Sequence, residues 1–250
     1  MKALILGAGY ATRLYPLTKD KPKALLPVGG VPILERTLQK LMSIPMLDRI
    51  YLVTNHRFEQ NFRWWLKNYG ERVKPRISAE VYDDNTASND DRLGALGDIN
   101  FVIDKARIDD DLLVVAGDNL FDFDLMKFVG FAKEVGTSIC LYDFGKSELV
   151  RQYGVVTINK EHKVIDFEEK PPRPASTLIS MGIYFFARKD LGMIKQYISD
   201  GHNADAPGFY LQWLHKEIYL YGYVIPGGTW LDIGDIDSYN KANELYNHEC

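Results

Sequence analysis

From Leu4 to Pro27 the chain reads LILGAGYATRLYPLTKDKPKALLP. An apolar run, Ala3–Leu6, opens it and has the length and composition of a short buried strand. The run gives way to Gly7-Ala8-Gly9, then to Thr12-Arg13, and ten residues further on to Lys23 in a Pro22-Lys23 pair. Small residues directly after a strand let backbone N–H groups come close to an anion, and loops of this kind cradle phosphates. Leu6, Gly7, Ala8, Gly9 and Thr12 are therefore candidate nucleotide-binding residues, and Arg13 and Lys23 would add fixed positive charge beside them. Two familiar alternatives fail. The fingerprint GxGxxG is broken because Thr12 stands where its last glycine should be, and GxxxxGK[ST] occurs nowhere in the chain.

What remains is a longer pattern: Gly9, Thr12-Arg13-Leu14, Pro16-Leu17-Thr18, Pro22-Lys23 and Leu25-Leu26-Pro27-Val28. It resembles the signature of the sugar-phosphate nucleotidyltransferases, the pyrophosphorylases that make nucleotide sugars, almost without a gap from Leu4 to Val28. Two positions depart from it, both small for small: Ala11 replaces a usual glycine, and Gly7 stands where Ala or Gly is common. The resemblance implies catalytic roles for Arg13 and Lys23.

Bulk properties set the frame. The 250 residues suit one domain, 46% are hydrophobic and 26% charged, and the formal net charge is −4. Such a balance gives no general attraction to nucleic acid or to an anionic membrane, so a bound nucleotide would be a small ligand held by local charge. Of the two cysteines, Cys140 lies in an apolar run and reads as a buried thiol, while Cys250 is the last residue. With no CxxC, no signal-peptide-like segment and no membrane-length apolar stretch, the expectation is a reduced, cytoplasmic protein.

Strand-like and helix-like segments alternate through the first half. Ala3–Leu6, Ile50–Val53, Ile77–Tyr82, Leu112–Ala116 and Ser138–Leu141 read as strands, and Pro32–Met42 and Gly94–Ile103 as helices. Phe58, Phe62, Trp65, Leu66 and Tyr69 recur at helical spacing and read as core. This order implies βαβ units and a mainly parallel sheet. Beyond it, Tyr153–Ile158 and Val164–Glu168 read as a hairpin, Ser180–Phe186 and Ile218–Val224 as strands, and Asp190–Ile198, Phe209–His215 and Ile236–Tyr246 as helices. The expected fold is an α/β, Rossmann-like mixed sheet of nucleotide-diphospho-sugar transferase type with a small antiparallel sugar-binding lobe. It would be a single nucleotidyltransferase domain, residues 1–145 forming the nucleotide-binding half and 146–250 the sugar-binding half with a second metal ligand.

Further candidates follow from strand ends. Ligands of open α/β sheets sit at the carboxyl ends of strands. Leu112–Ala116 runs into Gly117-Asp118-Asn119, placing Asp118 at that edge with Gly117 allowing close approach. A carboxylate there could hold Mg²⁺, which favours one or two carboxylates together with phosphate oxygens and water. The GDN element resembles the family's metal-binding one, and Trp230-Leu231-Asp232-Ile233-Gly234 resembles its W-x-D-x-G element, which implies that Asp232 is the second metal ligand. Asp235 and Asp237 suit the first turn of the last helix. Phe167-Glu168-Glu169-Lys170-Pro171 resembles the family's F-x-E-K-P element, implying that Glu169 grips sugar hydroxyls and Lys170 the sugar's phosphate. Tyr153-Gly154-Val155-Val156 resembles the Y-G-V element whose glycine, here Gly154, lies along the sugar. The stretch Asp83–Gly97 is longer and more polar than the family's usual base loop. Gly94 is its best candidate for approaching a nucleobase, and Arg92 could reach phosphate or base or pair with Asp90 and Asp91. Asp122-Phe123-Asp124 reads as the cap of a following helix, and the five histidines show no metal-ligand spacing.

The resemblance thus implies an Mg²⁺-dependent enzyme that joins a nucleoside triphosphate to a sugar 1-phosphate, with no nucleic acid or membrane partner and with a homo-oligomer as common in relatives. The base stays open among dTTP, UTP and CTP, and the sugar is unspecified. Two alternatives stand beside it: a cytidylyltransferase acting on a non-sugar phosphate such as phosphocholine, and a non-catalytic nucleotide-sugar-binding regulatory subunit.

Overall fold

A computed structural model describes residues 1–247; His248 and Cys250 lie outside the described residues. In chain order its elements are β1 (Lys2–Leu6), β2 (Pro27–Val28), β3 (Val31–Pro32), α1 (Ile33–Met42), β4 (Arg49–Thr54), α2 (Glu59–Val73), β5 (Ala79–Asp83) and α3 (Ala95–Ala106). There follow β6 (Leu112–Ala116), β7 (Asn119–Phe121), α4 (Met126–Val135), β8 (Ser138–Asp143), β9 (Gly154–Ile158), β10 (Val164–Glu169) and β11 (Leu178–Phe186). The chain closes with α5 (Gly192–Ser199), α6 (Pro207–Glu217), β12 (Tyr221–Val224), β13 (Trp230–Asp232) and α7 (Ile236–Asn247). The expected strands and helices are present, most with ends shifted by a few residues. Four short strands (β2, β3, β7, β13) were not foreseen as elements, while the helix expected after Asp124 is α4.

Contacts divide the chain into two compact units. The first holds residues 1–93, 115–124 and the segment from Thr229 onward. Its sheet is parallel, β1 pairing with β4 from Lys2↔Arg49 to Leu6↔Val53, and β4 with β5 from Ile50↔Ala79 to Thr54↔Asp83. Leu4, Ile5, Leu52 and Val53 have no exposure, as expected of strands covered on both faces. On α1 the buried residues are Ile33, Leu34, Glu35, Thr37, Leu38 and Leu41. On α2 only Phe62 and Tyr69 are buried; Trp65 and Leu66, read from their spacing as core, are half-buried, and Trp64 is 69% exposed. That helix carries Arg, Lys, Asn and Glu around most of its girth, so its apolar stripe is too narrow to cover four large side chains.

The second unit holds residues 94–114 and 125–228. Here β10–β9, β9–β11 and β11–β8 are antiparallel and β12 pairs parallel with β8, so the lobe expected from the hairpin pattern is built on most of this unit's sheet. A register shift in β11 between Ser180 and Tyr184 coincides with Gly182 at φ +73°, a bulge at a position only glycine occupies without strain. Cys140 is fully buried, which pushes its thiol well above the usual range, and no helix among the described residues is long and apolar enough to cross a membrane.

In the first unit the loop after β1 turns through Ala11 at φ 49°, ψ 43°, the left-handed region, and Thr18 Oγ1 closes the turn by donating to the Ala11 carbonyl at 2.7 Å. This explains why a glycine suits the position. A Cβ in that conformation meets the following carbonyl at a cost of roughly 1 kcal/mol. Ala11→Gly is therefore expected to raise the melting temperature by about 2–4 °C, as a gain near 1 kcal/mol does in a chain of this size. An unchanged or lower midpoint in a thermal melt would mean the alanine is not strained.

Candidate active site

Two three-residue strands decide the chemistry of the first unit. β7 and β13 form an antiparallel ribbon with Asn119 opposite Asp232, Leu120 opposite Leu231 and Phe121 opposite Trp230. Ile233 N–H donates to the Asp118 carbonyl at 3.1 Å, and the Thr229 N–H donates to the Asp122 carboxylate at 2.8 Å. Asp122 thus ties the ribbon's far end together and does not cap a helix; α4 begins only at Met126, without a side-chain cap. The ribbon brings Asp118 and Asp232, which lie far apart in sequence, to adjacent places. Beneath it Leu14, Leu26, Val28, Ile33, Leu120, Ile233, Ala242 and Tyr246 form one apolar cluster, which fixes the Arg13 loop, the Lys23 segment and the ribbon on a common base. Helix α7 adds a clamp, Tyr239 Oη donating to the Pro27 carbonyl at 2.7 Å.

Around the carboxylates stand two cations. Lys23 Nζ lies 2.7 Å from Asp118 Oδ2, with both side chains largely shielded. A Cβ at Gly234 would lie 3.6 Å from Arg13 Nη2 and 3.9 Å from Asp232 Oδ2, so arginine and aspartate flank the same glycine. Burial first, and the Asp118 charge second, push the Asp232 carboxyl up to about 6, with Lys23 and Arg13 acting in the opposite sense. Asp235 is otherwise engaged: its carboxylate accepts from Ser238 N and Oγ, both at 2.8 Å, capping α7 and lying below its usual range for that reason. Two carboxylates whose charges oppose each other, the Asp232 one half-buried, are the donor chemistry a hard divalent cation such as Mg²⁺ would relieve.

The loop residues named from the sequence divide by role. Gly7 N–H donates to the Val53 carbonyl at 2.9 Å and Gly117 N–H to that of Leu6 at 2.9 Å, and a Cβ on Gly117 would come within 2.4 Å of the Leu6 oxygen. These two glycines let backbones approach. Gly9 has nothing within 4 Å of a Cβ position and is exposed, as is Thr12, so the open part of the cradle is its second half. Asn55, not singled out in the sequence, completes the loop. It is fully buried, Nδ2 donates to the Ala8 carbonyl at 2.7 Å, and Oδ1 accepts from Phe58 N. Its position at the end of β4 was the only signal.

The segment after β5 is organised by carboxylates. Asp84 Oδ1 accepts from both N and Oγ1 of Thr86 at 2.7 Å, Asp91 accepts from Ala87 N and Ser88 N, and Arg92 Nη1 donates to the Asn89 carbonyl at 2.9 Å. His56 Nδ1 lies 2.6 Å from Asp83 Oδ2, and with Glu59 these form the one cluster of three potential metal ligands found among the described residues, a cluster that spacing alone did not reveal. Arg63 and Asn85 already engage its carboxylates.

In the second unit Gly94, at φ +77°, starts α3; a Cβ there would lie 2.6 Å from the Ala204 oxygen, so backbone approach within this unit already requires glycine. Gly154 faces Glu169 across the β9–β10 ladder, and a Cβ on it would lie 2.6 Å from Phe167 Cζ and 3.0 Å from Glu169 Oε2. The Glu169 side chain is only 11% exposed, and burial raises its carboxyl above the usual range. Among the described residues no hydrogen-bond donor reaches that carboxylate; its ion pair is with Lys170 Nζ at 3.9 Å, on a side chain 64% exposed. A shielded carboxylate without donors is costly, and ligand hydroxyls would supply what is missing. Lys170 itself turns at φ +50°, its N–H donating to the Tyr153 carbonyl at 3.1 Å.

A family model for nucleotidyl transferases matches residues 2–249. The chain belongs to the nucleotidyl transferase family. It is 32% identical over 97% of its length to a Sulfolobus acidocaldarius protein provisionally named a mannose-1-phosphate guanyltransferase. It is 29% identical, again over 97%, to a UTP–glucose-1-phosphate uridylyltransferase of a Synechocystis species. The chain spans 62% of the length of each of these two relatives. A solved structure, a provisionally assigned glucose-1-phosphate thymidylyltransferase from Bacillus anthracis in complex with a sucrose, superposes with a TM-score of 0.78 at 25% identity, covering 99% of this chain and 95% of that one. As a nucleotidyl transferase family member the chain has the expected α/β fold, and the three named proteins differ in base.

The half-buried Asp232 carboxylate gives a test that needs no substrate. The cost of ionising Asp232 in the fold grows from its ordinary value of 3.8 to about 6 and is full above that. Asp232→Asn is expected to stabilise the metal-free protein by roughly 1–3 kcal/mol at pH 7–8. The gain should vanish below about pH 4, where the wild-type group is neutral in both states. Urea melts across that pH range check it; equal stability of the two proteins at pH 8 would show that the carboxylate carries no such cost.

Proposed function

We propose that this chain transfers a nucleotidyl group from a nucleoside triphosphate to a sugar 1-phosphate, a hexose 1-phosphate foremost, and releases pyrophosphate. The observation that carries this reading is the gathering of Asp118, Asp232, Lys23 and Arg13 beside the open cradle of one unit. Such a set meets polyphosphate with charge of both signs. Family membership supports the reaction class, and the donor-less Glu169 carboxylate supports an acceptor with several hydroxyls over a non-sugar phosphate.

The chemistry asks little covalent work of the protein. An oxygen of the sugar phosphate, already ionised near neutral pH, attacks the α-phosphorus, and the bond to the bridging oxygen of pyrophosphate breaks, so no general base is needed. Two polyanions must be aligned and their charge offset, which preorganised cations do at no reorganisation cost. Asp118 and Asp232 would hold Mg²⁺, which when bound supplies charge neutralisation of the phosphates. Lys23, already placed by Asp118, would serve the α-phosphate, Arg13 the departing pyrophosphate, and Lys170 the acceptor's phosphate. The base is left to assay, since the named relatives use guanylyl, uridylyl and thymidylyl groups.

A pyrophosphate-release assay with Mg²⁺ tests the reading. The nucleoside triphosphates are crossed with several sugar 1-phosphates and with phosphocholine. Release dependent on one triphosphate and one sugar 1-phosphate is expected. In that assay Lys23→Ala and Asp118→Ala should each lose about a hundred- to a thousandfold in rate with folding intact, the effect of removing one preorganised charge. Turnover near wild type in either variant would remove that residue from the machinery, and release only with phosphocholine would replace the acceptor.

A further inference from the structure

Helix α6 begins Pro207-Gly208, and Gly208 is buried in its first turn. A Cβ on Gly208 would fall 1.8 Å from Glu169 Oε2 and 2.5 Å from its Cδ. The obstacle is the end of a flexible side chain, not backbone. A methyl group at 208 would therefore displace the carboxylate and leave the helix in place. Gly154 also lies against the same oxygen, at 3.0 Å from its own Cβ position. Two glycines from separate elements, the first residue of β9 and the second of α6, thus leave a slot of one carboxylate's width, and Glu169 occupies it.

Nothing else in the fold asks for glycine at 208. Its φ is not positive, and alanine is the better helix former there by about 1 kcal/mol. We propose that Gly208 is a positioning residue for the acceptor: by leaving room for the Glu169 carboxylate it sets which hydroxyl pair of the sugar the two oxygens accept, and so contributes to the choice of sugar. The inference rests on the sugar 1-phosphate reading above. It adds the first turn of α6 to the sugar-binding residues of this unit, a segment that no sequence element pointed to.

Gly208→Ala tests it, with thermal melts to confirm that the protein folds as stably as wild type. The expected result is a rise of about tenfold in KM for the sugar 1-phosphate, the size of a displaced hydrogen-bonding group, with KM for the triphosphate changed less than about twofold. The ranking among epimeric sugar 1-phosphates should narrow. In a Glu169→Ala background, where the methyl has no carboxylate to displace, adding Gly208→Ala should change neither constant further. An unchanged sugar KM in Gly208→Ala, or an equal loss with and without the Glu169 side chain, overturns the positioning role while leaving the transferase reading intact. Wild-type protein that releases no pyrophosphate with any sugar 1-phosphate overturns both.

Discussion

Asp118 and Asp232 are two negative charges that the first unit holds side by side against their mutual repulsion, and what surrounds them serves that constraint. The antiparallel pairing of two three-residue strands sets their separation. Lys23 offsets one at 2.7 Å, and Arg13 shares a glycine's flank with the other. An apolar cluster drawn from four separate stretches of chain keeps ribbon, loop and lysine in register. A pair of like charges of which one is pushed up to about 6 stores unfavourable energy in the free protein. Protonation at low pH relieves it, and on the proposed reading an arriving cation would do the same near neutral pH, so that binding and charge neutralisation would be one event.

The second unit solves a different problem with the same economy. It holds one shielded carboxylate, Glu169, with the backbone of Gly154 and Gly208 close against it. A shielded Glu169 without protein donors keeps its acceptor capacity for something brought from outside. Lys170 follows directly and stays exposed, because its left-handed turn swings the chain out of the β10 ladder. Neighbouring residues thereby present one acceptor and one cation, the complement of the hydroxyl donors and the anion that a polyhydroxylated phosphate ester combines.

Local chemistry was legible in the sequence and long-range pairing was not. The Gly7–Gly9 cradle, the cations Arg13 and Lys23 beside it and the strand end at Asp118 were singled out from short windows in which composition and order speak together, whereas Glu169 was singled out only by the resemblance of its segment to a family element. The β7–β13 ribbon is invisible at that level, since three residues are too few for a period and its partners lie far apart. Only the resemblance of WLDIG to a known element joined Asp232 to Asp118 beforehand. Asn55 escaped notice because a polar residue closing an apolar strand looks like an ordinary turn residue, and only its bonds to Ala8 and Phe58 show that it braces the cradle. Asp122 was misread for the converse reason: a helix cap and a ribbon tie need the same carboxylate, and the sequence does not say which amide it meets.

Calorimetric titration of Mn²⁺, as a stand-in for Mg²⁺, into the protein saturated with a triphosphate whose α–β bridge is methylene tests the central claim most directly. The account predicts one bound cation per chain, tight with the analogue present, and lost when Asp118 and Asp232 are both replaced by alanine in a protein that still melts cooperatively. Stoichiometric binding that survives the double replacement would contradict it, because the ribbon would then hold its two carboxylates together for some other purpose.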